Sequence, residues 1–111
     1  MKDPRLARLA QMAQMVEEAG TANLRRAVAA REAVRAQIEA LDASRARAAP
    51  RNAAEARIAY AYEAWASRRR AALNLDLAKH EALCLSLLEE ARVAFGRARV
   101  IDRLIARQET R

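Results

Sequence analysis

With 111 residues and a net charge of +7, the chain is long enough for one domain and too short for a large core. Its 53% apolar content is largely alanine, thirty residues of it, and Tyr60, Tyr62, Trp65 and Phe95 are the whole aromatic complement. With two glycines and two prolines, this excludes a packed α/β domain and points to long helices, while no apolar run of roughly 18 residues offers a membrane span.

The first predicted helix runs from about residue 4 to 47. Asp3 is placed to cap it, and Pro4 takes the first helical position, where its missing N–H costs nothing. Leu6, Ala10, Ala13, Glu17, Gly20, Leu24, Ala27, Arg31, Val34, Ile38 and Leu41 then step by alternating fours and threes, the signature of a coiled-coil seam. Leu9, Met12, Val16 and Val28 widen the apolar face. Gly20 is a weak point of about 1 kcal/mol relative to alanine.

A turn is expected at 48–52, where Pro50 disfavours helix at Ala49. Asn52 with Glu55 three residues on forms a capping-box arrangement for a second helix over 53–109. Its seam opens with Ile58, Tyr62 and Trp65 and shifts by an extra residue near Arg69, as in a stutter. Beyond that it continues through Leu73, Leu77, His80, Cys84, Leu87, Ala91, Ala94, Ala98, Ile101 and Ile105. The fold expected is all-α, a single domain of two long helices forming an antiparallel coiled-coil hairpin, with an unpaired end on the longer helix. Alanine-rich seams bury little area, so the free chain should be only marginally stable.

Little here suggests chemistry. His80 and Cys84 are one helical turn apart, but two ligands are not a metal site, and both fall in the seam. Glu17–Glu18 and Glu89–Glu90 fit solvated helix faces better than acid–base work. No glycine-rich loop cradles a phosphate. Arg68, Arg69 and Arg70, with Trp65 nearby, are the strongest basic patch, but they fan around the helix instead of making a one-sided nucleic-acid footprint. We therefore expect no enzyme, no cofactor, no metal and no nucleic-acid partner. A lone cysteine and the lack of an apolar leader in "MKDPRLARL" favour the cytoplasm.

The aromatics suggest protein contacts. Tyr62 and Trp65 lie near the turn, with Tyr60 turned off the seam. Phe95 stands outside Ala91, Ala94 and Ala98, among Arg92, Arg99 and Arg103, on what should be an overhanging helix. Buried aromatics and arginine commonly carry interface energy.

Three stretches, "LARLAQMAQMVEEAGTANL", "AYAYEAWASRRR" and "ARVAFGRARVIDRLIARQ", resemble the FliJ family, stalk-like proteins of the bacterial flagellar type III export apparatus with relatives in virulence-type secretion. The chain is shorter near the turn than typical members and richer in alanine. The resemblance implies an antiparallel coiled coil that inserts its joined helix ends as a shaft into the hexameric export ATPase and promotes its activity. It also implies contacts with the cytoplasmic domain of the export gate and with export chaperones, and membrane association only through those partners. Carried over, the docking residues are Leu6, Leu9, Met12, Phe95, Arg99, Ile101, Arg103 and Leu104, with Tyr60 and Trp65 near the turn. The residues alone leave a generic coiled-coil adaptor or chaperone open, and less readily a basic nucleic-acid-binding protein. Helices of this length also pair between chains as readily as within one, so a homodimer is compatible with the same pattern.

Overall fold

The computed structural model describes residues 3–45 and 49–110. It is all-α. Two long helices, α1 (Pro4–Arg45) and α2 (Ala53–Glu109), pair as an antiparallel coiled-coil hairpin. The expected continuation of the first helix to residue 47 and the start of the turn at 48 lie outside the described residues.

Both helix starts are capped by the residues the sequence nominates. The Arg5 N–H donates to Asp3 Oδ1 at 2.9 Å, and the Leu6 N–H to the Asp3 carbonyl at 3.1 Å. At α2, the Glu55 N–H donates to Asn52 Oδ1 at 2.8 Å. The return bond differs slightly from a capping box: Glu55 accepts from the Arg51 N–H at 2.7 Å, one residue before the cap.

Packing divides the chain into two compact units, Met1–Val28 with Leu83–Arg111, and Ala29–Ala82. In the first, which joins the helix ends, Ala27, Cys84, Ala94 and Ala98 are buried. Leu6, Ala10, Ala13, Glu17, Gly20 and Leu24 of α1, and Leu87, Ala91, Ile101 and Ile105 of α2, are half-buried. The fully buried positions of this seam are thus small side chains, and at Gly20 the backbones come close: a Cβ built there would lie 3.8 Å from Ala91 Cα. The Asp3 N–H donates to Gln108 Oε1 at 3.3 Å, so the last turns of α2 lie against the first turn of α1. This corrects the expected overhang. The C-terminal end of α2 is paired, and Phe95 lines a shallow groove with Glu17 and Thr21 of α1.

Helix α1 passes through Gly20 unbroken, without positive φ, so the glycine neither divides the helix nor serves a turn. Gly20→Ala adds a methyl at ordinary van der Waals distance and removes backbone freedom from the unfolded chain. It should stabilise the protein by about 1 kcal/mol, read as a higher urea midpoint. Unchanged or lower stability would mean the backbones are closer than this geometry gives.

The second unit carries the bulkier core. Val34, Leu41, Ala66 and Leu73 are buried together, with Ile38, Tyr62 and Leu77 packed against them. Two seam assignments are corrected here. Ile58 is 71% exposed and Trp65 49%, while Ala66 is fully buried. The α2 seam steps Tyr62, Ala66, Arg70, Leu73, Leu77, placing two four-residue steps in succession where a stutter was expected. Trp65 is displaced because Tyr62 is already in the seam, held by a hydrogen bond with Ser44, and four residues on from Tyr62 is Ala66. Ile58, four residues before Tyr62, is exposed as well.

Ion pairs flank this core. Arg70 donates to both carboxylate oxygens of Asp42, each at 2.9 Å, and Arg45 binds Glu63. Hydrogen bonds from Arg70 hold the Asp42 carboxyl below its usual range, and those from Arg45 do the same for Glu63. A lowered folded-state pKa means stabilisation that is present above the unfolded value and lost as pH falls through the folded one. The melting temperature should therefore be flat from neutral pH to about 5 and decline below about 4. The doubly neutralised variant Asp42→Asn/Glu63→Gln should decline less. A parallel decline in both proteins would assign the acid sensitivity to other carboxylates.

Candidate protein-docking site

In the joined-ends unit, the side chains proposed for docking fall into three places. Leu6 and Ile101 belong to the seam and are half-buried. Leu9 and Leu104 are exposed and line an open groove with Leu6, rimmed by Arg5 and Arg107. Met12, three residues on from Leu9, extends that apolar side along α1 and is also exposed. Phe95 and Arg99 are on the other side: Leu104 is nine residues from Phe95, about two and a half helical turns, which puts it on the opposite side of α2. Arg103 is exposed on the outer surface of α2.

The Phe95 side carries the denser set of side-chain interactions. The Arg99 guanidinium carbon stands 4.8 Å from the Phe95 ring centroid, in cation–π range. Arg99 Nη2 donates to Glu17 Oε2 at 3.1 Å, and its Nε lies 3.5 Å from Asp102 Oδ2. A seam carboxylate on α1 and a surface carboxylate on α2 thus hold the guanidinium over the ring. The exposed phenyl ring thus meets a cation tied to both helices, an aromatic–arginine pair of the kind that carries interface energy.

In the turn unit, Trp65 tilts against Tyr62 with centroids 5.6 Å apart, and Tyr60 is largely exposed. The basic triple here is partly engaged within the protein, Arg70 with Asp42 and Arg69 with the Gln37 side-chain oxygen at 3.5 Å. His80 Nε2 lies 3.4 Å from Asp76 Oδ1, and Cys84 is buried. Among the described residues, no three of His, Cys, Asp and Glu gather as a metal-binding group, and no helix is long and apolar enough to cross a membrane.

No protein-family model, curated protein or solved structure matches the chain. The site therefore rests on its own geometry. Sequence reasoning had placed Glu17 in the seam without seeing it as the anchor for Arg99. It also missed Val93 and Val100, which are exposed on the Leu104 side of α2. Their signal was legible: Leu83, Ser86, Glu90, Val93, Arg97, Val100 and Leu104 step by threes and fours, a second stripe beside the seam.

Proposed function

We propose that the protein is a non-catalytic coiled-coil docking element that engages a larger protein through its joined helix ends, as a stalk seated in a type III export ATPase ring. The observation that carries this reading is the Phe95–Arg99–Glu17 arrangement, an exposed aromatic ring under an arginine that Glu17 of the other helix binds. The apolar groove of Leu6, Leu9 and Leu104 lies in the same unit and gives a second contact. The net charge of +7 would steer the chain toward an acidic lining. In this role the ring supplies the chemistry, while the hairpin supplies shape and contact. Handover of substrates or chaperones and contact with an export gate belong to the same reading and follow from the resemblance alone.

The test is co-purification of the full chain with an export ATPase, followed by the ATPase rate with and without the chain. The reading expects capture and a raised rate. Phe95→Ala with Arg99→Glu should weaken both by at least about tenfold, while Leu75→Ala in the other unit changes neither. Capture of a different protein with no effect on ATPase would favour the adaptor or chaperone reading. Salt-sensitive recovery of nucleic acid alone would remove the stalk reading.

A further inference from the structure

Away from the Phe95 side, α2 carries a second stripe with coiled-coil spacing: Leu83, Ser86, Glu90, Val93, Arg97, Val100 and Leu104. Its four apolar members are between 42% and 52% exposed, although each is a side chain of core type. Ser86, Glu90, Val93 and Arg97 line one shallow groove, with Val16 of α1 on its other wall, so the apolar strip continues across the helix pair. All of these residues belong to the joined-ends unit.

The order of side chains along the stripe selects the occupant. About a point between Val93 and Ala94, Leu83 and Leu104 are equidistant, Glu90 and Arg97 are equidistant, and Val93 lies next to the centre. Reversing the helix therefore sets Leu83 against Leu104, brings Val93 beside its own copy, and sets each Glu90 against an Arg97, while Val100 falls level with Leu87 and Ser86 with Ile101. A two-fold interface demands this self-complementarity, because the same patch must serve both copies. A membrane surface does not fit, since the central charged residues would have to enter the apolar layer. We infer that this face binds a second copy of the chain, antiparallel along α2, in a four-helix dimer with two reciprocal Glu90–Arg97 contacts about the axis. The dimer leaves the Phe95–Arg99 side open, takes Leu104 from the groove it shares with Leu6 and Leu9, and does not depend on the export reading.

Sedimentation equilibrium of the full chain across a concentration series tests this. The expected result is a species of twice the chain mass of 12.4 kDa. Arg97→Glu places glutamate against glutamate twice by symmetry and should weaken dimerisation by at least about tenfold, as Glu90→Arg does with arginines. The double reversal Glu90→Arg/Arg97→Glu recreates the pairing with its signs exchanged and should restore the dimer. Circular dichroism confirms that each variant stays helical, so loss of mass is not loss of fold. Three results would overturn the proposal: a monomer at every concentration, a dimer indifferent to both single reversals, or a double reversal as weak as the single ones.

Discussion

Replacing Leu73 with alanine should cost about 3 kcal/mol of folding stability, the largest effect expected from removing apolar bulk in this protein. Leu73 is 3% exposed and packs into the cluster with Val34, Leu41 and Ala66. Elsewhere among the described residues the buried positions are Ala27, Cys84, Ala94 and Ala98, which have little volume to lose. Apolar burial is therefore concentrated in a few large side chains. Small domains hold only about 5–15 kcal/mol in total, so this one truncation removes a sizeable share. Urea unfolding followed by circular dichroism measures it. Leu75→Ala, at a leucine 61% exposed on the same helix, is the comparison and should change stability by about 0.5 kcal/mol or less. Similar losses for the two variants would show that the cluster is not the energetic centre of its unit.

The second large effect is expected in the joined-ends unit. Ala98 is 4% exposed, in the stretch where α1 contributes Ala10 and Ala13. Ala98→Asp would bury a carboxylate beside Ala94 and Asp102 on its own helix, where the arginines lining the same groove are Arg99, already bound to Glu17 and Asp102, and Arg25 of α1. An unpaired buried charge costs about 3 kcal/mol or more, enough to open the helix ends or unfold the chain. Ala71→Asp, at an exposed position among Arg68, Arg69 and Arg70, should be nearly neutral. Hydrogen exchange separates local opening from global unfolding. Loss of protection confined to residues 4–28 and 83–109 would mean that only the ends unit has opened.

These two variants also mark how differently the two units are built. One relies on side-chain bulk, the other on close backbone approach between small residues. The contrast bears on function, because the candidate docking groups sit on the unit with the small seam. There Arg99 and Glu17 bridge α2 to α1 directly, and the same bridge holds Phe95 in place. Glu17→Ala should therefore loosen both the helix pairing and the docking anchor.

The helices, their caps and most of the seam were determined by the sequence alone, because they depend on local rules. Asp3, Pro4, Asn52 and Glu55 act on backbone groups within one turn. The three–four spacing from Leu6 to Leu41 needs only the period of the helix. The tertiary structure decided what depends on register between the helices. Pairing of Tyr62 with Ser44 and of Glu63 with Arg45 put Ala66 in the seam and left Trp65 outside. The contact of Asp3 with Gln108 showed that the end of α2 is covered, and Glu17 gained its role as the anchor of Arg99. The physical reason is that a helical period says which residues share a face, while only the partner helix says which of them meet, and at what level.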